Sequence, residues 1–273
     1  MRPLNYTHEQ RQRLKILKSY CKKSQVVQPA DENRLKRLSH VFINKDTGAL
    51  YCAVPKVASS NLKRVFLKLD GKLQHVDDIK KRKIHHNSNL LTFKRFHKLD
   101  IELIMSDFYK FLFVRHPFVR LVSAYRNKLY ERNDFFNGFY GQRILRMYRK
   151  NMTEREYKKG AGVTFYEFVS WLIEKEAFDV HWTPVSWLCR PCMIEYDFVG
   201  EMDTLLVDAE TVLKHLQVSH RLSFPNNGSD GHAISSKDLT KQYFKDLPDS
   251  MVDSLYDIYK EDFLMFGYNR TIE

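Results

Sequence analysis

Two short apolar runs, each followed by a cation and then by a helical repeat, restrict this chain to few folds. Residues 50–54 form the first run, which ends before Lys56, and residues 111–114 form the second, which ends at Arg115. Apolar runs of this length are typical of parallel strands that are buried on both faces. A third strand-like run, residues 196–200, follows later. Strands that alternate with helices predict an α/β fold, with a P-loop-like, mostly parallel sheet and helices on both faces.

Apolar residues recur at helical spacing after both runs, and further helical segments follow from the same periodicity. The predicted helices are 8–24, 62–69, 118–125, 139–149, 164–176, 204–217 and 236–263. No long linker divides the chain, so we expect a basic N-terminal segment at 1–40 and a single domain at 41–273.

Lys56 and the run Ser59-Ser60-Asn61 lie between the first strand and its helix. Backbone N–H groups and the helix dipole at such a junction favour a phosphate group, and Lys56 adds a point charge. The loop contains no glycine, so it is not the usual phosphate loop of nucleoside triphosphatases. The alternative is a helix that simply begins with capping Ser and Asn residues.

Arg115 ends the second strand, and Ser123 lies about two helical turns further on. A guanidinium group can hold a phosphate with two hydrogen bonds, and the Ser hydroxyl can add a third. Because both junctions follow neighbouring strands, the pair would suit a ligand with phosphates at both ends. The alternative is that Arg115 forms a structural ion pair.

The chain has 273 residues and a formal net charge of +12, with 43% hydrophobic residues. This apolar content excludes a disordered chain. The charge favours a polyanionic partner but does not choose between nucleic acid, an anionic membrane and an acidic polysaccharide. The basic segment 80–98 would suit an acidic glycan, although it could equally be a solvated surface, or a nuclear import signal at residues 80–83.

Residues 50–64 resemble the 5′-phosphosulfate loop of the Golgi carbohydrate sulfotransferases, and residues 111–128 resemble their 3′-phosphate motif. Within that family the likeness is to the chondroitin and dermatan 4-O-sulfotransferases. It continues in order through roughly residues 40–220. The shorter matches are Tyr140-Gly141, Val163-Thr164-Phe165, His181-Trp182 with Pro184, Cys189-Arg190-Pro191-Cys192 and residues 196–200.

The resemblance implies the sulfotransferase fold, with residues 41–273 as its catalytic domain. It implies transfer of a sulfuryl group from 3′-phosphoadenosine 5′-phosphosulfate to a glycan hydroxyl, without a metal. Lys56 would neutralise the leaving phosphate, and His86 or His85 would be the base, with His181 as a third candidate. The implied donor-binding residues are Pro55, Lys56, Val57, Ala58, Ser59, Ser60, Asn61, Arg115, His116, Pro117, Phe118, Val119, Arg120, Leu121, Val122 and Ser123.

This sequence departs from the family pattern at three places near these motifs. Ser59-Ser60 stands where the family usually has Cys-Thr or Cys-Ser, so the loop hydroxyl is kept. Leu62 replaces a Trp, and His116 replaces an acidic residue and would add positive charge near the 3′-phosphate.

The compartment is predicted to be the Golgi lumen, from the family and from four N-glycosylation sequons, which begin at Asn5, Asn151, Asn227 and Asn269. No apolar run is long enough to span a membrane, so membrane attachment is expected only through an anchor that this sequence does not contain.

The four cysteines include a Cys189-x-x-Cys192 pair, which lacks the second pair that a zinc site needs. In an oxidising lumen Cys21 and Cys52 are expected to pair, with Cys189 and Cys192 joined or paired elsewhere, although spacing cannot decide connectivity.

The expected partner is an acidic glycan and not a nucleic acid, and the oligomeric state stays open. Two other functions remain. One is a catalytically inactive polyanion-binding module on the same fold. The other is a nucleotide kinase-like enzyme, disfavoured by the missing glycines and acidic metal ligands.

Overall fold

A computed structural model of the protein describes residues 6–24, 31–75, 90–131, 133–225 and 235–272. Its strands are β1 (Val41–Asn44), β2 (Ala49–Cys52), β3 (Tyr109–Val114) and β4 (Phe198–Glu201). They form one sheet in the order β1-β2-β3-β4, with β1 antiparallel to β2 and the other pairs parallel. The predicted α/β fold with a mostly parallel sheet is confirmed.

The helices bear out most of the predicted segments, with ends that differ by a few residues. They are α1 (His8–Lys23), α2 (Glu32–Lys36), α3 (Ser59–Leu69), α4 (Lys98–Asp107), α5 (Pro117–Tyr125), α6 (Gln142–Tyr148), α7 (Glu154–Lys159), α8 (Phe165–Lys175), α9 (Val185–Cys189), α10 (Leu205–His215), α11 (Ser236–Lys245) and α12 (Asp249–Phe266). Two π-helical segments, Arg126–Tyr130 and Asn137–Gly141, follow α5 and precede α6.

The prediction of one helix over 236–263 is wrong, because Pro248 separates α11 from α12. Proline has no backbone N–H and clashes with the preceding helical turn, so it is tolerated only near the start of a helix. Strand β1 was not predicted. It pairs with β2 across the short turn at residues 45–48, and so short a connection can join only antiparallel strands.

The chain divides into two compact units. The first consists of Met1–Arg115, Val185–Asp230 and Leu264–Tyr268, and it contains the whole sheet. The second consists of His116–Pro184, Gly231–Phe263 and Asn269–Glu273. The expected boundary between a segment 1–40 and a domain 41–273 stays a prediction, although α1 belongs to the same unit as the sheet.

The core of the first unit lies on both faces of the sheet. Every residue of β1, β2 and β3 is buried, and because successive side chains point to opposite faces, both faces are covered. Tyr51 and Phe111 stack at 5.1 Å between ring centroids on neighbouring strands. Gly200 on β4 leaves room for the Phe113 ring, since a Cβ at this glycine would lie 2.4 Å from that ring.

The predicted pairing of Cys21 with Cys52 is wrong. Cys21 pairs with Cys192, and Cys52 pairs with Cys189. The two cysteines of the C-x-x-C sequence therefore bond to different partners. Cys189 ends α9, and Arg190 directly after it has a left-handed φ of 46°, so the chain turns between the two cysteines. Spacing along the sequence contains no information on this turn.

The second unit has a core of aromatic rings. Phe168 stacks on Tyr125 at 5.7 Å and meets the buried Trp182 edge-on at 5.3 Å. Phe118 meets Phe263 edge-on at 4.9 Å. Within the ranges that the structure describes, no helix combines the length and the apolar character needed to cross a membrane.

Candidate functional site

The turn between β2 and α3 has an unusual backbone. Lys56 (φ 71°) and Ala58 (φ 50°) lie in the left-handed region, and Val57 between them does not. Such alternation points successive N–H groups toward one side and makes a concave site for an anion. Each left-handed non-glycine residue costs about 1–3 kcal/mol, and strain of this kind is concentrated at functional sites. The loop therefore adopts, without any glycine, a backbone conformation that usually requires glycine.

Helix α3 begins immediately after this turn, so its positive dipole end faces the same loop. Ser59 is buried and Ser60 is half-buried, and the first helical turn contains no acidic residue. Asn61 is held from two sides: its Nδ2 donates to the carbonyl oxygen of Pro225 at 3.3 Å, and its Oδ1 accepts from Arg64 at 2.9 Å. The N-terminus of α3 is therefore both fixed and electropositive.

Two of the cations on α3 are buried, and neither was singled out from the sequence as a site residue. Lys63 and Arg64 are both buried, at 7% and 4% exposure. The Lys63 ammonium lies 5.0 Å from the centroid of the Phe42 ring, and burial lowers the pKa of Lys63 to about 8. Their position one turn after the loop increases its positive potential. The signal in the sequence was their place at the end of the motif 50–64.

Arg115 directly follows β3, and it shares one edge of the sheet with the loop after β2. Strands β2 and β3 are parallel neighbours in which Cys52 pairs with Leu112, so Lys56 and Arg115 both follow carboxyl ends of strands at that edge. This is the edge where open α/β sheets bind ligands. Burial lowers the pKa of Arg115, and attraction to Asp203 and Tyr268 opposes that shift. This attraction to Asp203 is the interaction that would support the alternative of a structural role for Arg115.

The rest of the second motif belongs to the second unit. Pro117 begins α5, and the apolar side chains of the motif are buried in the core of this unit: Phe118, Val119, Leu121 and Val122. Arg120 is 1% exposed and donates to the carbonyl oxygens of Thr183 (2.8 Å) and Val180 (3.2 Å). This guanidinium group therefore supports the fold of the second unit.

His116 and Ser123 are two partly exposed residues of the second motif. The Nε2 atom of His116 is 3.0 Å from the carbonyl oxygen of Asn269, and its ring meets Phe263 edge-on at 5.3 Å. Ser123 lies half-buried on α5. Their predicted contact with the donor stays a prediction.

Of the three candidate bases, His85 and His86 lie outside the described residues. His181 lies in the second unit, with its Nδ1 atom 2.5 Å from Oδ1 of Asp179. Asp179 was missed in the sequence, although an acid two residues before a His was a visible signal. In the described ranges, no group of three or more His, Cys, Asp or Glu side chains could hold a metal ion.

Known proteins that are similar to this chain align with most of its residues. Carbohydrate sulfotransferase 11 of Rattus norvegicus is 38% identical over 256 residues, which cover 91% of this chain and 70% of the relative. Carbohydrate sulfotransferase 8 of Mus musculus is 35% identical over 267 residues (96% and 64%), and carbohydrate sulfotransferase 14 of Danio rerio is 36% identical over 241 residues (86% and 65%). The chain thus spans roughly two thirds of these relatives.

No solved structure is significantly similar to the chain. A family model described as the sulfotransferase family matches residues 39–269, which include the loop after β2, Arg115 and α5. Together with the identity to named sulfotransferases over nearly the whole sequence, this match shows that the chain belongs to the sulfotransferase family.

Proposed function

We propose that this chain is a carbohydrate O-sulfotransferase that transfers a sulfuryl group from 3′-phosphoadenosine 5′-phosphosulfate to a hydroxyl group of a glycan. Its family and the names of its relatives support this activity. The observation that carries the proposal is the left-handed, glycine-free loop at Lys56, which shares an edge of the sheet with Arg115. A concave set of N–H groups, with one cation after each of the two strands, suits a donor that has phosphates at both ends.

In this proposal the protein positions the donor and stabilises the negative charge that develops during transfer. The loop 55–61 holds the 5′-phosphate, and Lys56 neutralises the charge that develops on its oxygen as the bond to sulfur breaks. Arg115 and Ser123 hold the 3′-phosphate. The acceptor oxygen forms the new bond to sulfur and gives its proton to a base, while 3′-phosphoadenosine 5′-phosphate leaves with the electron pair. No step requires a metal, because lysine and backbone N–H groups supply the positive charge.

The acceptor in this proposal is an acidic glycan of the chondroitin or dermatan type. The net charge of +12 supports a polyanionic partner. The Golgi lumen is the proposed compartment, since two disulfides are typical of proteins in oxidising compartments. Two of the sequon asparagines, Asn151 and Asn269, are exposed and accessible for glycosylation.

Isothermal titration with 3′-phosphoadenosine 5′-phosphate, ATP and heparin tests the proposal against its alternatives. A sulfotransferase should bind the first ligand far more tightly than ATP and should transfer radiolabelled sulfate to unsulfated chondroitin. An inactive polyanion-binding module would bind heparin alone, and a kinase-like enzyme would prefer ATP. Either of these two results would overturn the proposal.

A further inference from the structure

A surface pocket of about 470 Å³ lies in the first unit, between the segment that leads into β1 and the segment that leads into α4. This volume falls within the range of about 300–1,000 Å³ that is typical of small-molecule sites. Its lining residues are Ser39, Leu90, Thr92, Lys94 and Arg95. Leu90 is buried, and the other four carry a hydroxyl group or a positive charge. Such groups donate hydrogen bonds to the oxygens of an anion.

The two cations of this pocket belong to a well-anchored 3₁₀ turn, Phe93–Arg95. Phe93 in the turn and Phe96 directly after it are both buried, at 0% and 4% exposure, and the N–H of Phe96 donates to the carbonyl oxygen of Phe93 at 3.2 Å. Lys94 and Arg95 between them are exposed. The backbone is therefore fixed before a ligand binds, which lowers the entropic cost of binding.

Neither cation is used within the protein. In the ranges that the structure describes, Lys94 and Arg95 form no ion pair and no side-chain hydrogen bond. By contrast, Lys98 in the following helix lies 3.9 Å from the carboxylate of Glu102. The hydroxyl of Thr92 makes no capping hydrogen bond to the turn that it precedes. These donors are therefore available to an anionic ligand.

The pocket lies at the same edge of the sheet as the loop after β2. Strands β1 and β2 are antiparallel and Val41 pairs with Cys52, so the start of β1 lies at the carboxyl end of β2. The N–H of Ala53 donates to the carbonyl oxygen of His40 at 2.8 Å and continues this pairing by one residue. Ser39 therefore lies beyond the carboxyl end of β2, at the edge where open α/β sheets bind ligands.

The strand order places the pocket on the side of the loop that the donor does not use. The proposed donor contacts follow β2 and β3, whereas β1 is the neighbour of β2 on the opposite side. The N–H of Ile43 in β1 donates to the carbonyl oxygen of Leu91 at 2.9 Å, which ties the segment with the two cations to that strand. A donor that spans β2 and β3 leaves this pocket for the other substrate.

We propose that Lys94 and Arg95, with the hydroxyls of Ser39 and Thr92, bind a carboxylate group of the acidic glycan acceptor. A uronic acid carboxylate is charged at neutral pH and is present in the acceptor before any sulfuryl group is added. These four residues select an acidic acceptor and take no part in bond making. This inference rests on the proposed function and names the residues that determine its acceptor specificity.

The first test measures the KM for unsulfated chondroitin at saturating donor. Replacing Lys94 and Arg95 together by alanine should raise this KM about 5–10-fold, since each solvent-exposed ion pair contributes a modest amount. The kcat and the Kd for 3′-phosphoadenosine 5′-phosphate should stay unchanged. With carboxyl-reduced chondroitin, whose sugars are neutral, the wild type and the double variant should have the same KM.

The matched control removes two positive charges from another part of the first unit. Lys15 and Lys18 are exposed on α1, which contacts β4 at the opposite edge of the sheet. Replacing both by alanine should leave the KM for chondroitin at the wild-type value. An equal rise of KM in this control would mean that net charge alone attracts the acceptor, and would overturn the inference.

Thr92→Val tests the contribution of a hydroxyl group in nearly the same volume. The loss of one hydrogen bond to the carboxylate should raise the KM for chondroitin about 2–5-fold. The KM for carboxyl-reduced chondroitin should not change. An unchanged KM for both acceptors would exclude this hydroxyl from the site and contradict the proposed set of ligands.

The outcomes separate this inference from the proposed function. A wild-type chain that neither binds 3′-phosphoadenosine 5′-phosphate nor transfers sulfate overturns the proposed function. A chain that transfers sulfate while the Lys94 and Arg95 double variant keeps its KM overturns the inference alone. A weaker Kd for 3′-phosphoadenosine 5′-phosphate in that variant would assign the pocket to the donor. A KM effect that persists with sulfated, carboxyl-reduced chondroitin would assign it to a sulfate group. Either result overturns the carboxylate assignment.

The melting temperature of the double variant should equal that of the wild type, because both side chains are exposed. If it falls, Lys94→Gln combined with Arg95→Gln carries the same test, since glutamine keeps more of each side chain and removes its charge.

Discussion

Lys56 and Ala58 show how individual residues shape the loop. Both adopt left-handed backbone angles although neither is glycine, so the surrounding structure has to stabilise a conformation that their own preferences oppose. Lys56 itself is half-buried in this turn. Arg115 and Arg120 lie within one motif but differ in role. Of the two, Arg120 is the one whose guanidinium group donates to backbone carbonyl oxygens in the core of the second unit.

Lys56→Ala should remove most of the sulfuryl transfer and leave the fold intact. The lysine charge acts on the leaving phosphate, so kcat should fall by well over about 10-fold, which corresponds to more than about 1.4 kcal/mol of barrier. The measurement is a single-turnover rate with saturating donor. Lys72→Ala, at an exposed lysine beyond the end of α3, should have the wild-type rate. A Lys56→Ala variant that keeps more than a tenth of kcat would contradict the role.

Arg115→Ala should weaken donor binding more than it slows transfer, since the 3′-phosphate lies away from the reacting sulfur. The loss of a partly desolvated charge-assisted contact should cost about 2–4 kcal/mol in the binding of 3′-phosphoadenosine 5′-phosphate, measured by calorimetry. The exposed Arg34 provides the control variant Arg34→Ala. An unchanged Kd would leave Arg115 with the Asp203 attraction alone.

Helix α3 illustrates how an element can be both packed and charged. It buries Leu62, Val65 and Phe66 against the sheet core, and it also buries the cations Lys63 and Arg64. Burying a cation costs free energy, so a helix selected only for stability would place apolar side chains at these positions. The positive charge close to the phosphate-binding loop gives a functional reason for that cost.

Lys63→Met should stabilise the protein at neutral pH. The pKa of Lys63 falls from 10.5 in the unfolded chain to about 8 in the folded one, so between these pH values the unfolded state binds more protons and stability rises with pH. Below pH 8 the full cost is present, on the order of 3 kcal/mol. The gain from the substitution, measured by urea unfolding, should therefore be largest at pH 7 and fade toward pH 10.5. A gain that is constant across this range would contradict the explanation.

At the scale of the whole molecule, the two disulfides join distant parts of the first unit. Cys21 of α1 bonds to Cys192 across 171 residues, and Cys52 at the end of β2 bonds to Cys189 across 137 residues. Cross-links over such long segments strongly restrict the unfolded chain. The second lies four residues before Lys56, so it also anchors the strand that leads into the phosphate-binding loop.

Replacing Cys52 and Cys189 together by alanine should lower the free energy of unfolding by about 2–5 kcal/mol. The measurement is urea denaturation of protein secreted from eukaryotic cells, with non-reducing peptide mapping to establish the bonds of the wild type. In excess reductant the difference between the two proteins should largely disappear. A Cys189–Cys192 peptide would contradict the Cys52–Cys189 bond, and four free thiols would contradict both that bond and the proposed lumenal compartment.

The sequence by itself determined the strand–loop–helix junctions, the parallel character of the sheet and the family. These features depend on residues that are close together in the chain: apolar runs, helical spacing, and motifs such as 50–64 and 111–128. The tertiary structure decided the disulfide partners, the antiparallel β1, the structural role of Arg120 and the orientation of His181 by Asp179. Each of these depends on which segments meet in space or on how the backbone turns. Local hydrophobic periodicity contains no information on either, because long-range contacts form only when the whole chain packs.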